Sequence, residues 1–307
     1  MDISVLFSAM PGAVAQGLIW GIMAIGVYIT YKILDVADLT VDGSMCTGGA
    51  VSIMMMLNGY NVWVSLLAAF IAGMLAGLVT GIFHTFMGIP AILAGILTQL
   101  ALYSINLKIM GRANQAISVM NYDLLVSLRN VKNVPFYQNS IFVVAIFCIV
   151  IIGVLYWFFG TELGCSLRAT GCNPNMSRAQ GINTNFNIVL GLMISNGLVA
   201  LASALCSQYQ GFADINMGRG AIVIGLAAVI IGKVVFEKVF HNFALKLLGA
   251  VIYYAVLQVV IWFGLDTDLL KLLSALVVAL FLALPYWKKK YIVKPVKRGG
   301  VQNVGSK

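Results

Sequence analysis

Runs of about 20 apolar residues recur along almost the whole chain, and that is the length one helix needs to cross the hydrocarbon core of a bilayer. Pro11 to Leu34, Val62 to Phe86, Ile89 to Ile109, Ser140 to Phe159, Phe186 to Tyr209, Ala244 to Gly264 and Leu269 to Trp287 each meet it. Two runs are shorter, Ser44 to Leu57 and Gly220 to Val235. Backbone N–H and C=O groups have no water partners in lipid, so such runs must bond internally as helices. The expected fold class is an all-α integral membrane protein, a polytopic bundle of about nine transmembrane segments with two short or broken. The first run is too long for a signal-peptide core and lacks a cleavage-like flank, so it is expected to be retained.

Composition excludes the soluble alternative. Of 307 residues 61% are hydrophobic and 9% charged, against about a quarter charged in a soluble domain. The formal charge of +9 does not point to nucleic acid, because the bases gather in the hydrophilic breaks and in a tail containing Lys288, Lys289, Lys290, Lys294, Lys297 and Arg298. That is the positive-inside pattern of a membrane protein. It places the tail, Lys233, Lys238, Arg168 and Arg178 in the cytoplasm and the polar stretch from Gly111 to Asn139 outside, despite Arg112, Arg129 and Lys132. The N-terminus is then extracytoplasmic if every segment crosses. The organisation expected is one transmembrane permease domain, residues 1–287, followed by a basic cytoplasmic tail, 288–307.

Small residues mark packing faces. Gly73, Gly77 and Gly81 repeat at four-residue spacing, as do Gly17 and Gly21, a pattern that lets helix backbones approach closely in lipid. The five cysteines form no CxxC pair and no ligand spacing with His84 or His241, so neither a disulfide nor a metal site is expected. Neither histidine has a nucleophile or second ligand nearby in sequence, and no catalytic residue is assigned. Gln16, Gln99, Asn196 and Gln208 are polar groups within apolar spans. Each either lines a path or makes an interhelical hydrogen bond, the commoner outcome.

Two passages echo one another. Ala37-Asp38-Leu39-Thr40-Val41-Asp42-Gly43 precedes one short span, and Ala213-Asp214-Ile215-Asn216-Met217-Gly218-Arg219-Gly220 precedes the other. With the first near the cytoplasmic side and the second near the outer side, the pair has the form of an inverted internal repeat, and short segments at matching positions point to the transport path. A chance match over so few residues is the alternative. Ionisable groups at membrane depth are costly unless they meet water or a partner, so Asp38, Asp42 and Asp214, with Ser44 and Asn216, are candidate lining of a path for a small polar solute. Asp38 and Asp42 could equally cap the helix that follows them.

The segment 164–183 is the expected partner-facing loop. Asn173-Pro174 suits a helix start, Gln180 its end and Gly181 its stop, and a short amphipathic helix in a basic loop can dock in a groove on a soluble partner. The run Leu167-Arg-Ala-Thr-Gly-Cys-Asn-Pro-Asn-Met-Ser-Arg-Ala-Gln-Gly-Ile182 resembles the ATPase-coupling loop of the branched-chain amino acid and ribose-type ABC permeases. Arg168, Ala169, Gly171, Asn173, Gly181 and Ile182 match its pattern, and Met176 and Ser177 depart from it at small-residue positions. The passage from Ala37 to Ser44 is similar to the Asp-Leu-Ser-Val-Gly-Ser element of the sugar permeases, with Asp42 inserted before the glycine. In length and wording the chain is most similar to permeases paired with tryptophan/tyrosine-type binding lipoproteins.

The resemblance implies a bacterial cytoplasmic (inner) membrane protein, multi-pass, acting as an importer subunit for an aromatic or other amino acid. It implies a homodimer with an ABC ATPase below and an extracytoplasmic solute-binding lipoprotein above. Arg168, Gly171, Asn173, Pro174, Arg178 and Gly181 would then carry ATPase coupling. No G-x-x-x-x-G-K-[ST] run is present, so ATP and Mg belong to the partner and this chain binds no cofactor of its own. The rival reading is an ion-gradient-driven secondary transporter that uses the membrane aspartates, against which the coupling-like loop argues.

Overall fold

The computed structural model describes residues 3–118, 122, 124–127, 139–236, 243–262 and scattered positions between 272 and 283. The expected last span lies largely outside these residues, as do the tail 288–307 and His241.

Each apolar run within the described residues becomes a helix. In chain order these are α1 (Ile3–Tyr28), continued by a π-helical turn over Ile29–Ile33, α2 (Thr40–Leu57), α3 (Val62–Thr85) and α4 (Ala91–Met110). After them come a short strand β1 (Asn114–Ala116), α5 (Ser140–Gly160), α6 (Glu162–Cys172), α7 (Pro174–Ala179), α8 (Thr184–Gln210), β2 (Phe212–Asp214), α9 (Ala221–Phe236) and α10 (Phe243–Trp262). Among the described residues, five stretches are long and apolar enough to cross a membrane: Ala9–Ile33, Val62–Thr85, Ala91–Met110, Ser140–Gly160 and Thr184–Gln210. Asn61 and Asn139 start α3 and α5 by accepting from the N–H of Trp63 and Ile141 at 3.1 and 3.0 Å, the usual Asn capping contact.

Helix α8 is the central pillar, buried along most of its length. Helices α1 and α3 pack on it antiparallel. Gly26 of α1 lies against the Ser195 carbonyl and Gly12 beside Tyr209, while Gly73, Gly77 and Gly81 of α3 lie against Asn196, Leu192 and Val189 in turn. Helix α2 runs parallel to α8, with Gly48 on the Ala200 backbone and Gly49 on Ser203 and Ser207. Helix α4 covers α2 through Gly43, which meets Gln99 and Leu102, and Gly95, which meets Leu39 and Thr40. Gly17 and Gly21 meet Val251 and Leu247 of α10. At Gly17, Gly21, Gly73 and Gly77 an added methyl would enter neighbouring backbone or side chain, and at Gly81 it would press on Val189, so both glycine stripes are packing faces.

Large apolar residues fill the core, yet many others cover the outer faces of α3, α4 and α5, while polar residues such as Asn196, Ser203 and Thr80 are buried. Trp63, Leu67, Ile71 and Leu75 of α3, Leu93, Leu97 and Leu100 of α4, and Ile149, Val150 and Trp157 of α5 are all exposed. This distribution suits a lipid surround, where apolar side chains lose nothing by facing outward.

Two helices start inside the bundle. After the π turn, Asp35 at φ 55 reverses the chain. Helix α2 then begins near Asn196, close to the midpoint of α8. At the far end of α8 the chain forms an antiparallel ribbon with the segment after α4, pairing Asn114 with Asp214 and Ala116 with Phe212. It then turns back over residues 215–220 and begins α9 against the first turn of α2, where Gly218 packs on the Asp42 carbonyl. From that point α2 and α9 leave in opposite directions. Helix α9 packs through Ala228 and Gly232 on Gly249 of α10.

Substituting Gly48 by Val should drive branched methyls into the Ala200 backbone and cost about 1–3 kcal/mol or more. Gly153→Val on α5, where an added Cβ meets nothing within 4 Å, should be silent. Thermal unfolding of both variants in detergent checks the contrast.

Candidate functional site

The interior start of α2 is organised by Asp38. One carboxylate oxygen accepts the Thr40 N–H at 2.9 Å, and the other accepts the Asn196 side-chain N–H at 2.7 Å. Asn196 also donates to the Leu192 carbonyl at 3.0 Å, and its amide oxygen accepts the Ser44 hydroxyl at 2.6 Å. The Thr40 hydroxyl meets that of Thr80 at 2.7 Å, and Thr80 reaches Thr98 at 2.9 Å. A continuous polar chain thus ties α2, α3, α4 and α8 together at the level where α2 begins. Asp38 is 3% exposed, and Ser44 and Asn196 are sealed, so this cluster is closed to solvent in the conformation described. Of the two roles open to Asn196, the structure shows the interhelical bond.

Asp42 does something different. It lies in the first turn of α2, yet its carboxylate accepts the N–H of Gly220 and of Ile222, both at 3.1 Å. It therefore caps α9, not the helix that carries it. Without it, these two N–H groups at the start of α9 would lose their protein acceptor. Asp214 accepts the Asn216 N–H at 2.6 Å and the Asn114 side-chain N–H at 3.3 Å, which fixes the turn that follows β2. Asp42 and Asp214 are half-buried and Asn216 is exposed. The structure thus brings the two echoing passages into contact. It separates the path candidates into a sealed pair, Asp38 and Ser44, and an accessible set, Asp42, Asp214 and Asn216.

The loop at the opposite end is built from two helices where the sequence suggested one. Thr161 caps α6, accepting the Gly164 N–H at 3.4 Å. The Arg168 guanidinium donates to the Phe159 carbonyl and lies over the Phe159 ring, 5.9 Å from its centroid. Gly171 packs so closely on Ile33 and Leu34 that a side chain there would enter the backbone. Asn173 caps α7 through the Met176 N–H at 3.1 Å, with Pro174 at the first position. Gly181 at φ 81 ends it, and Ile182 N–H returns to the Ser177 carbonyl at 3.0 Å, the backbone signature of a glycine stop. Arg178 donates to the Thr184 hydroxyl at 2.8 Å and Asn187 to that of Thr170 at 2.9 Å, locking both helices to α8. Ser177 is buried, while Asn173, Pro174, Asn175 and Met176 face outward.

Among the described residues no group of three or more His, Cys, Asp or Glu could hold a metal ion, and His84 is engaged with the Ile89 carbonyl at 2.9 Å. The features missed from sequence are α6, the β1–β2 ribbon and the reach of Asp42 to α9. The ribbon and the reach of Asp42 rest on contacts between residues distant in the chain.

Residues 10–284 match the family described as branched-chain amino acid transport system / permease component. A tyrosine transport system permease protein of Clostridioides difficile is 39% identical over 279 residues, covering 90% of this chain and 91% of that protein. A fructose import permease protein of Bifidobacterium longum is 26% identical, over 78% of this chain and 67% of that protein. Among solved structures, PsaBC from Streptococcus pneumoniae in complex with Fab shares the fold, with a TM-score of 0.54 at 14% identity, over 95% of this chain and 99% of that one. The chain belongs to the branched-chain amino acid transport permease family of ABC importers, and is a multi-pass membrane transport subunit, not an enzyme.

Proposed function

We propose that this chain is the translocating subunit of an ATP-driven importer for tyrosine or a chemically similar aromatic amino acid, working as a homodimer with a separate ATPase and a solute-binding protein. The substrate class follows from the tyrosine permease that is 39% identical across nine-tenths of both chains. The observation that carries the coupling is the position of α7. Its capped, outward-facing start at Asn173 to Met176 gives an ATPase a rigid edge to grip, and Gly171 rests on the Ile33–Leu34 turn that leads to Asp38. Displacement of the loop would pass through that turn to the interior start of α2. Such a lever biases a two-state element by a ligand bound on another subunit. ATP and Mg act on the partner. In this reading Asp42, Asp214 and Asn216 line the path, and Asp38 and Ser44 hold the helix that borders it. The carboxylates are occupied by neutral N–H and O–H donors, which suits a polar lining better than a set of ion carriers.

Purification of the tagged chain from its native membrane should co-recover an ABC ATPase and a binding lipoprotein, and Arg178→Glu should lose the ATPase. Proteoliposomes of the complex should accumulate labelled tyrosine only with ATP. Recovery of the chain alone, with uptake driven by an ion gradient in ATP-free vesicles, would overturn the importer reading.

Asp38→Asn places one amide N–H against another at Asn196 and leaves a buried donor without an acceptor, at a cost of about 1–3 kcal/mol. The expected result is loss of uptake with the ATPase still co-purifying, read from transport and recovery on the same preparation.

A further inference from the structure

The six residues that lead from the ribbon into α9 lie on α2 along one stripe. Asp42, Cys46 and Gly49 are four and three residues apart, so they share a face of that helix. Asp42 accepts from Gly220 and Ile222 at 3.1 Å. The Cys46 thiol donates to the Ile215 carbonyl at 3.0 Å, and its sulfur accepts the Gly218 N–H at 3.4 Å. Met217 seats its sulfur beside Gly49, where it accepts from Ser203 and Ser207 of α8 at 3.8 and 3.7 Å. Gly218 allows the approach, because a side chain there would enter the Asp42 carbonyl.

The segment is two-faced. Ile215 and Gly218 are buried on the inner side and Met217 is half-buried, whereas Asn216, Arg219 and Gly220 are exposed. Its internal bonds are short-range turns, Met217 N–H to Asp214 at 3.1 Å, Arg219 N–H to Asn216 at 3.1 Å and Ala221 N–H to Gly218 at 2.9 Å. They hold its shape without help from α2. It is bounded by Asp214 at the ribbon and by Gly220 at φ 85, so a rotation at these two ends would move it as one body. Its bonds to α2 come from two side chains only.

We infer that residues 215–220 form a flap over the point where α2 and α9 meet, latched by Asp42 and Cys46, and that the flap lifts when the path opens. The assignment of this point to the path rests on the importer reading, but the latch does not. When α2 and α9 separate, the Asp42 carboxylate cannot remain on both, so the bonds to Gly220 and Ile222 break together. With them gone, the flap is held to α2 only by the Cys46 bonds to Ile215 and Gly218, and lifting it breaks these and opens Cys46, 7% exposed in the latched state, to water from the path.

The cysteines of the chain supply the test. Cys165 and Cys172 are exposed and are replaced by Ser, leaving Cys46, Cys148 and Cys206, all buried. The full chain in proteoliposomes is treated with a membrane-impermeant maleimide, and each thiol is followed by mass spectrometry. Asp42→Asn removes one acceptor for the α9 amides, and Gly218→Ala pushes the turn off α2. Asp42→Asn should raise the Cys46 labelling rate about tenfold, the factor that one lost charge-assisted hydrogen bond corresponds to, and Gly218→Ala should raise it through the clash with the Asp42 carbonyl, with Cys148 and Cys206 still unlabelled in both. An unchanged Cys46 rate in both variants overturns the flap. So does labelling of all three thiols together, since the same contacts would then hold the whole fold. The assay needs no ATPase, binding protein or substrate, so recovery of the chain alone with ion-driven uptake would sink the importer reading and leave this result standing.

Discussion

A helix that begins inside a membrane protein presents amides with nothing to bond, and water is not there to take them. The rest of this architecture follows from how that constraint is met twice at one place. Asp38 takes the first amide of α2, and Asp42 takes two amides at the start of α9. Both helix starts are also the positive ends of their dipoles, so carboxylates are the natural acceptors there. Asn196 and the Thr40–Thr80–Thr98 hydroxyls then complete a network through four helices. Glycines on α2, α3 and α4 bring the backbones close enough for such short side chains to reach.

The same region connects the two ends of the molecule. At one end α6 and α7 are fastened to α5 and α8 through Arg168, Asn187 and Arg178, and to the end of α1 through Gly171. At the other end the β1–β2 ribbon ties the segment after α4 to the one after α8. The interior helix starts lie between these two fixed frames. A bundle so arranged deforms where its elements are interrupted, at the π turn, at Asp35 and at Gly220, more readily than along its continuous helices.

What could be read from the residues was whatever is local. The helix boundaries follow from the length of the apolar runs, the α7 cap from Asn173-Pro174, its end from Gly181, and the α3 packing face from Gly73, Gly77 and Gly81. The long-range features were hidden for a physical reason. Helix α6 carries polar and small residues that look like loop until Arg168 finds the end of α5, and strands of three residues have no periodicity to detect. Asp42 looks like an ordinary first-turn acid of its own helix, because nothing in one sequence announces that its carboxylate turns to another. The wording of the echoing passages suggested a repeat with one copy near each side of the membrane; their direct contact, and the division of their acids into sealed and accessible groups, required the packing.

The reach of Asp42 also bears on how the molecule is made. The carboxylate and the Gly220 amide that it satisfies are 178 residues apart, so α2 enters the bilayer long before its partner has been synthesised. Until α8 and α9 arrive, Asp42 faces lipid, headgroups or the insertion machinery with its charge unanswered. A chain released after α8 would keep most of its spanning helices and still lack the segment that closes its interior. Completion of the fold is thereby tied to translation of its last third, and a truncated copy would carry an uncapped acid within the membrane by which quality control could tell it from a finished one.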